Sequence, residues 1–432
     1  MGDMSVPKTK TFFNISSFQI IVMFRRGLFY SYLSVYLRMF LGLSVTETTL
    51  FATLPMIANV LCQSFIWGSL SDRLQLRRTL IIIGEAAAAI ITSVVWYVHI
   101  LPVSRHAAGY ILIFGMTIVE IFWSMSNIAW SALLSDLYSA KERTGLQGQL
   151  ASVGAAGRLI GILCGGLLYD GLQRYYDGWG FYSGTLFFLA SITMMISTIP
   201  MFFVPEGGVK YSKAFTEPDD KNSVSANNNG NGSRSRQFTI FLWGMVFINF
   251  GINAINMLKP QFLALPDAFN ISNRMMSYIL CTGTTGIFLV GMMIKPASQR
   301  IKDETLLIVG CAVAIVYLLG YALADNIGML FFGDFMSGAA LAIIDAASYT
   351  YASRLIPAAT RGKQFAIYNT SLMLSWGLPS TLITGPLVDY MIGAGVSQLF
   401  AYRVAFVTSS LMVAVGAAIL IYNFRKNRAA QA

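Results

Sequence analysis

Glu120 and Arg158 are lone charges inside long apolar stretches of a 432-residue chain in which only 12% of residues are charged. An ionised side chain at the centre of a hydrocarbon layer costs about 2.5–3.5 kcal/mol on insertion scales, so each such residue is a candidate for function. Glu120 lies 19 residues before position 139 and Arg158 lies 19 after it. If the chain turns there, both sit at one depth, roughly 20 Å from the ends of facing helices at 1.5 Å per residue. Two readings are open. The pair holds a polar solute, with Glu120 able to carry a proton, or it is a structural bridge that fixes two helices.

Other polar residues recur with helical spacing. Arg26, Tyr30 and Ser34 form an i, i+4, i+8 stripe. Adjacent residues point about 100° apart on a helix, so Arg25 and Arg26 are not expected to face one cavity equally, and Arg26 is the inward candidate. Both become interfacial anchors if that helix starts later. Asn249, Asn253 and Asn256 share a face, which in a membrane must look into the helix bundle or pack against a neighbour. Lys259 beside Pro260 is placed to snorkel outward. Asp334 is expected to be water-exposed, and Glu85 to serve as gate or packing. Asp345 is a second carboxylate that burial could keep protonated near neutral pH.

The elements that position these residues follow from composition. The chain is 55% hydrophobic, against about 25% charged residues in a typical soluble domain. About 20 apolar residues span a bilayer core. Twelve such stretches occur, at about 17–40, 47–70, 79–101, 109–135, 145–169, 181–204, 238–262, 275–295, 304–324, 328–353, 363–388 and 399–423. The expected class is therefore an all-α membrane protein of twelve transmembrane helices. Lys8 and Lys10 precede the first stretch without a small-residue cleavage site, so a retained helix is expected. Residues 205–237 are polar and carry the run Asn227-Asn228-Asn229-Gly230-Asn231-Gly232-Ser233. They read as a flexible linker between a six-helix half, 1–204, and a second, 238–432.

Of the 30 basic residues, 21 fall in tails and loops on one side of these spans and 5 on the other. That asymmetry puts both termini and the linker in the cytoplasm. It also accounts for the net charge of +10 without nucleic acid. Cys62, Cys164, Cys281 and Cys311 lie in apolar stretches without metal-ligand spacing, and two histidines are too few for a metal cluster. No cofactor is expected. Neither a nucleophile–base pair nor a nucleotide-binding motif is present, which argues against an enzyme and against ATP-driven work.

The halves repeat. Trp67-Gly68-Ser69-Leu70-Ser71-Asp72-Arg73 after span 2 has a counterpart in Lys295-Pro296-Ala297-Ser298-Gln299-Arg300 after span 8. Arg143 precedes Asp170 by 27 residues, and Arg361 precedes Asp389 by 28. In that register Asp345 on span 10 matches Asn127 on span 4. Internal repeats of this kind build many secondary transporters.

The stretch Gly68-x-x-x-Asp72-Arg73-x-x-x-Arg77-Arg78 resembles the cytoplasmic 2–3 loop signature of the major facilitator superfamily, and the twelve spans, central linker and repeat agree with it over nearly the whole chain. Gln75 stands where a glycine is usual. The resemblance implies two pseudo-symmetric six-helix halves around a central cavity that works by alternating access. It further implies a cytoplasmic gate of Gly68, Asp72, Arg73, Arg78, Asp136 and Arg143, in which Asp72 docks on the start of span 11 while Arg73 and Arg78 pair with Asp136 or Glu142. Proton-coupled drug antiporters of the family have a glycine-proline motif in span 5 and a basic residue in span 4; here Arg158 and Glu120 stand in those places.

The expected function is secondary transport of a small polar or anionic solute, proton-coupled as a symporter, by a monomer in the plasma (inner) membrane. The solute would be an organic acid, a sugar or sugar phosphate, or an iron chelate. Arg26, Tyr30, Glu120, Asn127, Arg158, Asn253 and Asp345 would bind it or couple it to protons, and its partners are the solute, protons and lipid. The alternatives are proton-driven export of drugs or other hydrophobic compounds and, in another class, a transporter-like receptor or assembly factor.

Overall fold

The computed structural model describes residues 8–138, 140–208, 231–356 and 361–429. No strand occurs among them. Twelve helical passes follow in chain order. They are α1 (Lys8–Val35, closed by a π turn at Tyr36–Phe40) and α2 (Val45–Cys62, continued by a π turn at Gln63–Trp67 into Gly68–Leu74), then α3 (Arg77–His99), α4 (Arg105–Leu137), α5 (Ala140–Tyr169) and α6 (Thr185–Met201). The second six are α7 (Asn231–Asn253, resuming at Leu258–Ala264), α8 (Asn273–Arg300), α9 (Asp303–Ala322), α10 (Ile327–Leu355), α11 (Arg361–Leu374, resuming at Ser380–Gly393) and α12 (Gln398–Ala429). Nine of the described helices are long and apolar enough to cross a membrane. The other three passes have visible reasons for falling short: α1 carries Arg25 and Arg26 behind a polar start, α6 has 17 residues, and α11 is interrupted.

The outward faces are apolar. On α3, Ile83, Ile90, Val94 and Tyr97 are exposed while Leu80, Ile81 and Ala88 on the other side are buried. On α6, Phe188, Ile192, Met195 and Ile199 are exposed in the same way. A row of large apolar side chains along one helix face is stable against lipid and costly in water.

The chain divides into two compact units, Met1–Leu43 with Leu54–Asn222 and Ser44–Thr53 with Ser223–Ala432. The first turns of α2 therefore belong to the second unit. Pro55 follows the division directly and leaves the Phe51 carbonyl without its helical donor. Of the stretch 205–237, residues 205–208 and 231–237 are described, and 209–230 lie outside the described residues. Residues 231–237 already belong to α7.

In the first unit α1 lies directly on α5. A Cβ on Gly157 would meet the Ile20 carbonyl oxygen at 2.3 Å, and one on Gly161 would meet that of Phe24 at 2.0 Å. The small-residue face on α5 thus lets two backbones touch. This contact fixes the depth of Arg25 and Arg26 on α1 against α5.

In the second unit the breaks in α7 and α11 face one another. Asn253 Nδ2 donates to Ser375 Oγ at 2.9 Å, Thr384 Oγ1 donates to the Ala254 carbonyl at 2.6 Å, and Ser380 Oγ donates to the Asn253 carbonyl at 3.2 Å. Side chains thus satisfy the carbonyls that the interrupted helix releases, as a non-helical segment at membrane depth requires. The start of α2 is held by Asp389, whose Oδ1 accepts from Val45 N at 2.9 Å and Oδ2 from Thr46 N at 2.7 Å. A carboxylate on the first free N–H groups of a helix also meets the positive end of its dipole.

Candidate functional site

The first unit gathers most of the intramembrane charge. Arg25 is 1% exposed and Arg26 half-buried. Their guanidinium carbons lie 4.9 Å and 4.3 Å from the centre of the same Trp123 ring. Backbone directions 100° apart therefore do not separate them, because each arginine stem is long enough to bend its head group onto one indole. The expectation that only Arg26 turns inward is corrected by this convergence. A guanidinium over an indole face gains an attraction of about 2 kcal/mol or more when desolvated. Tyr30 lies near Arg25, its ring centre 5.8 Å from the guanidinium carbon.

Glu120 is buried, and its Oε1 accepts from Asn59 Nδ2 at 2.5 Å. Asn59 Oδ1 in turn accepts from Gln63 Nε2 at 2.7 Å. Arg26 lies within electrostatic reach of Glu120, Arg25, Tyr30 and Arg158. Arg158 is exposed on α5. Asn127 is half-buried on α4, two turns beyond Glu120.

Glu85 is fully buried on α3. Its Oε1 accepts from Ser126 Oγ at 2.9 Å. Trp123 lies within hydrogen-bonding reach of Glu85. Glu85 Oε2 and Arg25 Nε and Nη2 are buried with no close hydrogen-bond partner among the described residues.

In the second unit Asn253 is buried and bridges the helix breaks, with its Oδ1 accepting from Asn256 Nδ2 at 2.7 Å. Asn249 is buried one turn earlier, and its Nδ2 has no partner among the described residues. Asp345 is exposed on α10. Asp334, expected in water, is instead 1% exposed. Its Oδ1 takes a short contact from Lys259 Nζ and a hydrogen bond from Tyr321 OH at 3.2 Å, and its Oδ2 accepts from Gly283 N at 3.0 Å. Lys259 consequently turns into the bundle rather than snorkelling out.

The loop between α2 and α3 is built differently from the expected gate. Gln75 adopts φ 56, the left-handed conformation for which a glycine is usual, and its Nε2 donates to the Asp72 carbonyl at 2.7 Å. The turn is therefore kept without the glycine. It ends the short helix that starts at Gly68, so positions on its two sides do not follow one helical spacing. Arg77, first in α3, points inward and takes the role foreseen for Arg73 and Arg78. It reaches Asp136 at 3.3 Å and Asp72 at 3.2 Å. Asp72 and Arg73 are exposed. Arg78 pairs with Glu206 at 3.0 Å, and Glu206 also caps Thr79 N at 2.9 Å. Asp136 further accepts from Gly208 N at 2.8 Å. Arg143 belongs to α5, but its side chain, like that of Glu142, lies outside the described residues.

Sequence reasoning set Arg25 aside and missed Trp123, Asn59, Gln63 and Glu206. Trp123 follows Glu120 by one turn, and Asn59 and Gln63 are an i, i+4 polar pair on an apolar helix. Both are signals of the kind that singled out Arg26 and Tyr30.

Nine described helices long and apolar enough to cross a membrane, with charged side chains buried among them, define a polytopic membrane protein. The model of the Major Facilitator Superfamily matches residues 15–380, and the chain belongs to that superfamily. It is thus a secondary transporter of a small solute and not an enzyme. Among solved structures it is similar to a mutant form of the nucleoside transporter NupG at 12% identity and TM-score 0.72, over 96% of this chain and 100% of that one. It is also similar to a bacterial homologue of the human lysosomal transporter Spinster, inward-facing and unoccupied, at 15% identity and TM-score 0.71, over 98% of both chains. These likenesses carry the fold alone. No curated protein matches the chain by sequence.

Proposed function

We propose that the protein co-transports a small anionic solute with protons, and that the solute's acidic group is held by the arginines of α1. The observation that carries this reading is the convergence of Arg25 and Arg26 on Trp123. Two cations brought onto one indole repel each other, and an anion between or beside them removes that repulsion. Guanidinium groups match carboxylate and phosphate oxygens two at a time. Organic acids and sugar phosphates are therefore favoured over neutral sugars and hydrophobic drugs. Tyr30, Asn127 and Arg158 would line the same route, and Asn253 and Asp345 are the second unit's proposed binding or coupling residues.

Glu120 and Asp345 are the foreseen proton carriers. Gly68, Asp72, Arg73, Arg78, Asp136 and Arg143 remain the proposed cytoplasmic gate, to which Arg77 is added by its two carboxylate contacts. The charge asymmetry of the loops supports a plasma (inner) membrane protein with both termini in the cytoplasm. A monomer is sufficient for alternating access.

The test is a thermal-stability screen of purified protein against succinate, citrate, glucose 6-phosphate, ferric citrate, glucose and a lipophilic dye. At least one anion should stabilise the wild type and lose its effect on Arg26→Gln. Stabilisation by the dye or glucose alone would refute the anionic reading.

A further inference from the structure

Buried polar groups in native proteins are hydrogen-bonded in the great majority of cases, so clustered exceptions call for an explanation. The Arg25 guanidinium is enclosed, yet Nε and Nη2 lack partners. These two nitrogens form one edge of the guanidinium plane, and their N–H bonds point the same way. That edge is the fork that grips two oxygens of a carboxylate or phosphate. The neighbouring carboxylate, Glu85, uses one oxygen for Ser126 and leaves Oε2 without a partner. Trp123, whose side chain is within hydrogen-bonding reach of Glu85, adds a donor beside it. Arg25 and Trp123 both lie within interaction range of Glu85.

We propose that Glu85 is the residue that binds the transported proton, and that it alternates with the solute's acidic group for the open edge of Arg25. The proposal rests on the anionic reading above and names a carrier other than Glu120 and Asp345. With no anion bound, ionised Glu85 turns from Ser126 to the Arg25 edge. When an anion takes that edge, Glu85 loses its cation, picks up one proton and becomes a neutral acid. On release of the anion the proton leaves and Glu85 returns. Either state keeps the buried charge paired, whereas Arg25 with neither partner, or Glu85 ionised beside a second anion, carries the penalty of an uncompensated buried charge. One proton therefore accompanies each anionic group.

The groups facing Glu85 are few. From α1 come Arg25 and Arg26, and from α4 come Trp123, Ser126 and, further off, Glu120. α6, which also packs on α3, has no titratable side chain between Thr185 and Met201. Arg25 is the group whose loss should change Glu85 most.

Infrared spectroscopy of the full chain in liposomes tests this without knowledge of the natural solute, because a protonated carboxyl group has its own carbonyl stretch. Inorganic phosphate serves as the probe, since it adds no carboxyl band. The wild type minus Glu85→Gln should show one protonated carboxyl band that disappears as pH rises. Arg25→Gln should move that disappearance to higher pH by roughly 1–3 units, the effect of removing a neighbouring opposite charge. Phosphate should move it upward in the wild type and not in Arg25→Gln.

If Glu85→Gln does not fold, Ser126→Ala identifies the same band, because loss of that hydrogen bond to the carboxylate also shifts it upward. The proposal is overturned if no such band exists, or if Arg25→Gln leaves it unmoved. Failure of phosphate alone to move it would also overturn the alternation. If the band behaves as stated while no anion is taken up by the liposomes, the transport reading fails and the Arg25–Glu85 coupling stands.

Discussion

Replacing Lys259 by Met strips a fully enclosed carboxylate of its only cation among the described residues. Asp334 is 1% exposed and keeps two neutral donors, Tyr321 OH at 3.2 Å and Gly283 N at 3.0 Å. Breaking a buried pair from one side costs about 3–5 kcal/mol because the remaining charge is uncompensated. Two hydrogen bonds to a charged group, each worth about 1.5–3 kcal/mol, hold that loss toward the lower end. Asp334→Asn leaves Lys259 with a neutral amide in place of its carboxylate and should cost a similar amount. The double variant removes both charges and keeps an amide able to accept from Tyr321. It should regain most of the loss and end about 1 kcal/mol below the wild type, so that two single losses of about 3 kcal/mol each imply a coupling of about 5 kcal/mol between the two sites. Equilibrium unfolding of wild type, both single variants and the double variant in one detergent closes the cycle. Single variants within about 1 kcal/mol of the wild type, or a double variant no more stable than either single, would refute the assignment of this pair as a buried structural link.

Gly161→Leu should separate α1 from α5, because even a Cβ there would sit 2.0 Å from the Phe24 carbonyl; a loss of about 1–3 kcal/mol is expected and is read by the same unfolding assay. The double change Glu120→Gln with Arg158→Gln should be as stable as the wild type, since it removes both charges together and leaves two amides that can hydrogen-bond, but should take up the anion identified in the stability screen at a small fraction of the wild-type rate; full uptake would reduce both residues to scaffold. A cysteine at Ser223 should be labelled only from the cytoplasmic side and one at Asn270 only from outside, and labelling of the first from outside would overturn the orientation.

The twelve passes were legible because a bilayer imposes a length on every apolar stretch, and the small-residue face of α5 was legible because close backbones need glycine at a fixed spacing. The polar stripe of α1 was read too strictly at Arg25, whose guanidinium reaches the same indole as that of Arg26. A rule about Cα directions says little about where an arginine head group ends, six bonds further on. Lys259 and Asp334 are 75 residues apart in sequence, and nothing in either local pattern indicates that α7 packs against α10 at that depth. Likewise, the exchange of Arg73 for Arg77 at Asp136 depends on one left-handed residue, Gln75, whose side chain gives no hint of that conformation. The breaks in α7 and α11 were hidden for another reason: Asn253 donates to Ser375, and Ser380 and Thr384 donate to the Asn253 and Ala254 carbonyls, so a single-helix pattern contains only half of each bond.

The central claim, that an anion and a proton cross together, is tested most directly in lightly buffered proteoliposomes. The anion that stabilises the protein in the screen is added outside while external pH and uptake are recorded together. The account predicts that the outside becomes more alkaline in step with uptake, that an uncoupler abolishes the pH change, and that Arg25→Gln and Arg26→Gln each lose both signals. Uptake of the anion with no accompanying pH change would contradict it.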